Sequence, residues 1–409
     1  MSSNFQNFRN SVPWLIIFLE AVFIVLFHIF FSCYDSQESE IFYPAFQDVN
    51  HMVIFGFGFF LMFLKRYGFS SAGFNLLILV IGVQCSVLLE YFLFYILEMR
   101  SRGCLKRITE ATVSMIAVVI STGAVLGKTN PVQLILMTVV EIIVFCISRL
   151  INKIILKVTD SIGMMHVHLF GAYFGLAASL GFSEPSPRCE KNASTTKSDL
   201  FSMLGTLFLW VFWPSFNSEL AQNKKNRAFC NTYFALAVSA VTAFLLSALT
   251  TKDGKFRMSH IHSAALAGGI AVGYTADSIE YPWIAMILGL LASVISILGS
   301  CCLQRCLNPA LKLHDTSGVH FTFGLPAVLG ALAHVVLFVI KNTTVFPSYD
   351  LLYLVMTQIG AFCVTISIAV VTGFITGLIL NLKLFKNTPV AKYFEDQFFW
   401  EFPHLAVGF

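Results

Sequence analysis

The chain has 409 residues, 57% of them hydrophobic and only 12% charged, with a formal net charge of +4 and a mean hydropathy of +0.77. So few charges cannot cover the surface of a soluble globule of this size, and apolar runs recur from end to end. The pattern is that of an all-α polytopic membrane protein; a β-barrel would show short alternating segments, and the small net charge gives no reason to expect a nucleic-acid partner.

The first apolar run, Trp14 to Phe31, has no small-residue cleavage site after it and reads as a retained span rather than a removed leader. About twelve spans of ~20 residues follow one another, predicted at 14–33, 49–64, 72–97, 109–127, 132–150, 163–182, 199–217, 229–249, 260–276, 282–302, 318–340 and 351–381. The last is overlong and is expected to tilt or project. Residues 1–387 are read as one transmembrane unit and 388–409 as a C-terminal tail. An even count puts both termini on one side, which the Lys and Arg distribution favours as cytoplasmic. The inner set is Arg9, Lys65, Arg66, Lys128, Arg188, Lys191, Lys197, Lys252, Lys255, Arg257, Arg305, Lys312, Lys383, Lys386 and Lys392, 15 of the 26 basic residues. The stretch from Tyr34 to Asp48 carries four acids and no Lys or Arg, as an outer loop would. On this topology the Asn192 sequon faces inward and stays unmodified, while the Asn342 sequon faces outward. Ten cysteines are scattered without metal-ligand spacing. They read as small apolar fillers, with acylation at Cys301, Cys302 and Cys306 as the alternative.

Two stretches resemble each other. HLFGAYFG begins at His168 in the sixth predicted span, and HFTFGLPAVLG begins at His320 in the eleventh. Leaving out the first and last spans gives two sets of five. An odd number of crossings makes the second set run opposite to the first, the inverted-repeat plan of many transporters. On a helix His166 and His168 lie about 200° apart, so one of them can face a given cavity. His168 shares a face with Gly171 and Gly175, which let another backbone approach closely, so it faces protein or a narrow lumen and not lipid. His166 is expected to make an interhelical contact. An imidazole in each half could form a donor–acceptor pair in a dry pore, or each could only bridge helices.

Asp160 and Asp315 precede the two histidines by eight and five residues, where they could cap helices or mark cation-attracting mouths. Glu20, Glu90 and Glu141 fall inside predicted spans and must pair, protonate or face water. In GTLFLWVFWPSFNSE, from Gly205, Trp213 and Phe216 share a face and Pro214 can break or kink the helix. No Walker loop, nucleophile elbow or HExxH is present, so an enzyme is not expected, nor a cofactor or metal.

Several of these segments together resemble the Rh family of the ammonium transporter/Rh superfamily. They are FQDVNHMVIFGFGF from Phe46, KRYGFSSAGFNL from Lys65, GAVLGKTNPVQ from Gly123, HLFGAYFGL from His168, GTLFLWVFWPSFNS from Gly205, ALAGGIAVG from Ala265 and HDTSGVH from His314. The ending YFEDQFFWEFPHLAVGF is similar to that of the blood-group D/CE polypeptide branch. The resemblance implies a trimer in the plasma membrane, each protomer holding a pore between inverted halves. Ammonium is recruited at a vestibule, loses its proton and passes as ammonia by two phenylalanines and two hydrogen-bonded histidines. It places His168 and His320 in the pore, Phe216 at the lower gate and Asp160 ahead of the first pore histidine. It also implies three departures. Thr122 stands where the upper gate phenylalanine is expected, Arg149 where a vestibule glutamate is expected and would repel a cation, and Phe321 and Phe323 replace a polar pair. Two functions follow: an ammonia channel, with carbon dioxide as a further candidate, or a non-conducting subunit that joins Rh glycoproteins and a membrane-skeleton adaptor.

Overall fold

The computed structural model describes residues 3–30, 38–96, 103–183, 191–221, 224–303, 314–343, 345 and 347–402. Arg188, Arg305, Lys312, Cys306, the start of the acidic loop at Tyr34 and the LAVGF ending lie outside the described residues. The described chain is helical throughout its apolar runs, because backbone groups inside a bilayer can bond only within their own segment.

Among the described residues, twelve helical stretches follow the predicted spans. They are α1 (Ser3–Phe30) and α2 (Glu38–Asn50, continued by a π turn His51–Gly56, Phe57–Phe60 and a 3-10 turn Leu61–Phe63). Then come α3 (Gly68–Ile96), α4 (Cys104–Val125), α5 (Pro131–Ile154) and α6, which is divided into Asp160–Met165 and Val167–Ser179. They continue as α7 (Thr196–Leu220), α8 (Lys225–Thr250), α9 (Met258–Gly273) and α10 (Pro282–Leu298, with a π turn Gly299–Leu303). The last are α11 (a π turn His320–Gly324, then Leu325–Asn342) and α12 (Ser348–Leu380). Among the described residues, ten helices are long and apolar enough to cross a membrane. The two short ones are α6, interrupted at His166, and the 16-residue α9. Pro214 lies inside an unbroken α7, so the predicted break there does not occur.

Small residues set the crossings. Where α2 meets α7, a Cβ on Gly205 would fall 2.1 Å from the Phe60 nitrogen, so only glycine lets these two backbones touch. Helix α6 lies on α4 in the same way: a Cβ on Gly171 would meet the Ala117 carbonyl at 2.3 Å, and one on Gly175 the Ser121 Cα at 2.5 Å. The equivalent pair in the second set repeats the device, with Gly330 of α11 against Ala271 of α9. Helix α12 covers the back of α6, and α1 lies at the periphery on α3 and α5. The intramembrane acids Glu20, Glu90 and Glu141 each have a polar partner on another helix, although one oxygen of Glu90 and one of Glu141 stay buried without a hydrogen bond among the described residues. Glu20 accepts from Gln84 Nε2 at 3.0 Å, Glu141 from the Ser121 hydroxyl, and Glu90 from Arg149.

The tail continues as three short turns, Lys383–Phe385, Val390–Lys392 and Asp396–Phe398, strapped across one end of the bundle. Phe394 N–H donates to the Gly127 carbonyl at 3.0 Å, and Asp396 N–H to Arg66 at 2.8 Å. Gly127 has φ +79°, a left-handed conformation that needs glycine, and its Cα faces the Phe394 ring. The Asp396 carboxylate accepts from Phe69 N–H and Ser70 N–H at 2.9 and 2.8 Å, capping α3 from a distance of more than 300 residues. Residues 388–402 are therefore built onto the transmembrane unit. Asn192, whose amide donates toward His314 Nε2 at 3.1 Å, belongs to this tail-side end.

Candidate functional site

The break in α6 places His166 and His168 on different sides of the helix. His166 Nδ1 lies 3.2 Å from Asn152 Nδ2 of α5 and 3.1 Å from Thr365 Oγ1 of α12, so it joins three helices, the interhelical contact expected of it. His168 points the other way, into the aromatic centre of the bundle. Its ring stacks on Trp213 at 5.5 Å, meets Phe216 edge-on at 5.9 Å and lies parallel to Phe323 at 6.5 Å. Its Nε2 is buried with no hydrogen-bond partner among the described residues.

His320 opens the π turn of α11. Its N–H and that of Val319 donate to the Asp315 carboxylate, both at 3.0 Å, so Asp315 caps the helix that presents it. The His320 ring packs on Phe321 at 4.8 Å and on Tyr173 at 5.9 Å, and its Nδ1 is likewise buried and unpartnered among the described residues. The two halves thus exchange rings. Tyr173 of α6 covers the histidine of α11, and Phe323 of α11 covers the histidine of α6. No hydrogen bond joins the two imidazoles among the described residues. Tyr173 is a site residue that the histidine pattern alone does not mark; the usable signal is its place in HLFGAYFG, five residues beyond His168.

A cavity of about 200 Å3 opens at the end away from the tail, with Met165, Asn217 and Gly273 toward Phe216 and with Tyr274, Asp277 and His334 around it. Its lining among the described residues holds one acid, Asp277, and no Lys or Arg. Arg149 is elsewhere. It lies between Glu90 at 2.8 Å and Asp160 at 3.1 Å, with Lys153 3.5 Å from the other Asp160 oxygen. Its charge is answered by two carboxylates, and it is not among the residues that line the cavity. Asp160, the first residue of α6, spends its carboxylate on Arg149 and Lys153.

Thr122 also differs from its expected place. The contacts of Gly171 with Ala117 and of Gly175 with Ser121 fix α4 and α6 as parallel neighbours. The same register puts His168 level with Ser114, and Thr122 eight residues on, roughly 12 Å toward the tail at 1.5 Å per residue. Its hydroxyl donates to the Val118 carbonyl at 2.8 Å. An upper gate would have to lie on the cavity side of His168, where Val113 is nearer the required level. Phe216, by contrast, touches His168 directly from the side of the cavity.

The sequence matches the family described as Ammonium Transporter Family over residues 13–394. It is 44% identical to an RH-like protein of Macaca mulatta over 421 aligned positions covering the whole of both chains. It is 43% identical to the blood group Rh(D) polypeptide of Rattus norvegicus, covering 99% of each. Among solved structures it is similar to Nitrosomonas europaea Rh50, reported with the mechanism of conduction by the Rhesus protein family of channels. The TM-score is 0.72 and the identity 27%, over 89% of this chain and 93% of that one. Mep2 of Saccharomyces cerevisiae, at 16% identity and a TM-score of 0.68, shares the fold over 90% of this chain and 94% of its own. The twelve-helix architecture, the paired histidine helices and this full-length similarity agree: the chain belongs to the ammonium transporter family, within its Rh proteins, a family of membrane channels and not of enzymes.

Proposed function

We propose that this protein is an Rh-type channel of the plasma membrane that passes ammonia down its gradient, with both termini cytoplasmic. The observation that carries this reading is the pair of imidazoles in equivalent helices, His168 buried and His320 half-buried, each with one buried ring nitrogen unpartnered among the described residues and the first lying against Phe216. Polar atoms are expensive in a dry interior. Two imidazole nitrogens facing apolar rings are suited to a small neutral guest that can both donate and accept. The cavity lined by Asp277 attracts the cation, and loss of its proton to the water of that cavity leaves ammonia to pass Phe216 and then His168 and His320. Carbon dioxide, apolar and small, is a second candidate for the same route. The protein works as a trimer in this reading, each protomer with its own path.

The test is stopped-flow of proteoliposomes loaded with a pH dye and pulsed with ammonia. The wild type should alkalinise faster than empty vesicles, and His168→Ala should return the rate to that of empty vesicles. An unchanged rate in the variant would sink the pore assignment.

A second reading has its own observation. Phe323 packs on Phe57 at 5.9 Å and Phe60 at 6.0 Å as well as on His168, so apolar rings fill the space next to the first histidine. That supports a non-conducting subunit that assembles with Rh glycoproteins and reaches a membrane-skeleton adaptor through its tail. Phe323→Ala separates the two readings. A channel narrowed by this ring should conduct faster in the variant, whereas a subunit without a path should stay at the rate of empty vesicles. Co-purification with an Rh glycoprotein would support the subunit reading.

A further inference from the structure

Three helices end around a cavity on the tail side that takes no part in the route above. It is bounded by the last turn of α2, the first turns of α3 and α7 and the tail strap, and its volume is about 910 Å3. That is within the range of small-molecule sites, about 300–1,000 Å3. One wall is apolar: Phe69 and Phe201 are large and exposed, and Ala72 lies beside them, while Trp400 covers Gly73. The other wall carries Lys65, Arg66 and Lys197.

The acids nearby are already committed. Asp396 accepts the two backbone N–H groups of α3, and Glu395 lies 2.7 Å from Lys191 and only 3.9 Å from Arg66. The ammonium groups of Lys65 and Lys197 have no hydrogen-bond or ion-pair partner among the described residues. Lys65, Arg66 and Lys197 against the Glu395 and Asp396 carboxylates leave the lining with a net positive charge, at the level where the spans Tyr43–Phe63, Gly68–Leu93 and Thr196–Leu220 end and beside the exposed rings of Phe69 and Phe201. A soluble anion would use the charge and leave these rings uncovered. An amphiphile with an anionic head uses both.

We propose that this cavity binds an anionic phospholipid, its phosphate held by Lys65, Arg66 and Lys197 and an acyl chain laid along Phe69 and Phe201. Because the tail strap forms one side of the cavity, the bound lipid also fastens the tail to the bundle through Trp400, which lines the site, fills the space over Gly73 and donates from Nε1 to Ser70 Oγ at 2.9 Å.

Trp400 provides the readout. The full-length protein is reconstituted in phosphatidylcholine with a minor fraction of chain-brominated lipid, and the Trp400 contribution is isolated by subtracting the Trp400→Phe protein. Brominated phosphatidylserine should quench Trp400 more than brominated phosphatidylcholine does. The triple substitution Lys65→Gln, Arg66→Gln and Lys197→Gln should remove that difference while the protein keeps its elution volume. Equal quenching by the two lipids in the wild type overturns the proposal without any variant. A preference that survives the triple substitution overturns it too, since the charge would then act elsewhere. Soluble glycerophosphoserine should not compete; if it abolishes the preference, the site takes a soluble phosphate ester and the lipid is excluded. Quenching by neither lipid again overturns it.

Discussion

At the scale of single residues, the arrangement around Arg149 shows what one buried charge demands of its neighbours. Its guanidinium is about 10% exposed and is held by Glu90, itself 5% exposed, and by Asp160. Removing one member of such a group leaves an uncompensated charge, which costs about 3–5 kcal/mol, whereas replacing the pair by apolar residues is often close to neutral. Arg149→Met should therefore lower the melting temperature of the solubilised protein sharply. Glu90→Leu combined with Arg149→Met should recover much of the loss. If the double variant is no more stable than the single one, the ion pair is not what Arg149 contributes. A lone sequence could mark Arg149 as out of place in an apolar span but could not show its partner, because Glu90 lies 59 residues earlier on another helix. His168 and His320 were legible for the opposite reason. Their setting is local, a histidine followed at helical spacing by small residues, and the same local pattern appears twice.

Among the helices, the predicted spans agree closely with the observed ones because the bilayer imposes length and polarity on each segment independently of its neighbours. Features that depend on two helices at once were not visible. Apolar periodicity carries no information about the interruption of α6 at His166, the π turns in α2 and α11 or the level of Thr122. Glycines give the sharpest test of a packing register. Gly171 meets the Ala117 backbone, which cannot yield as a side chain could, so Gly171→Ala should cost several kcal/mol and reduce the yield of monodisperse protein. Gly58 lies in a similar apolar run of α2, yet a Cβ there would meet only the Asn75 amide at an ordinary 3.6 Å. Gly58→Ala should be neutral or stabilising by up to about 1 kcal/mol, since alanine is the better helix former. Equal effects from the two substitutions, measured by thermal melting in the same detergent, would mean that the α4–α6 contact is not tight.

On the scale of the whole molecule, the tail strap ties elements that are distant in sequence, and one histidine makes that closure sensitive to acid. His314 precedes α11 and lies outside the spans. Its carbonyl accepts from Lys128 Nζ at 2.7 Å, its ring nitrogens face Asn192 and the Thr316 hydroxyl, and the Phe394 ring of the strap is 6.3 Å away. Burial, and then the nearby Lys128 charge, hold its pKa down at about 4. The docked strap therefore requires the neutral ring, while the released chain titrates near the ordinary value of about 6.5. A folded pKa below the unfolded one means that the released state binds more protons on acidification. The stabilisation is therefore complete above pH about 6.5 and is lost as the pH falls toward 4. Emission from Trp400, which moves with the strap, should show release at progressively lower temperature between pH 7 and pH 5. His314→Gln, which has an amide in place of the titrating ring, should flatten that dependence. An unaltered slope in the variant would mean that His314 is not the source of the acid sensitivity, and buried Asp396, in the strap itself, is not an alternative source. Its carboxyl is raised by burial. A raised carboxyl pKa gives the opposite sign, with stability lost as pH rises, so the direction of the slope alone distinguishes the two residues.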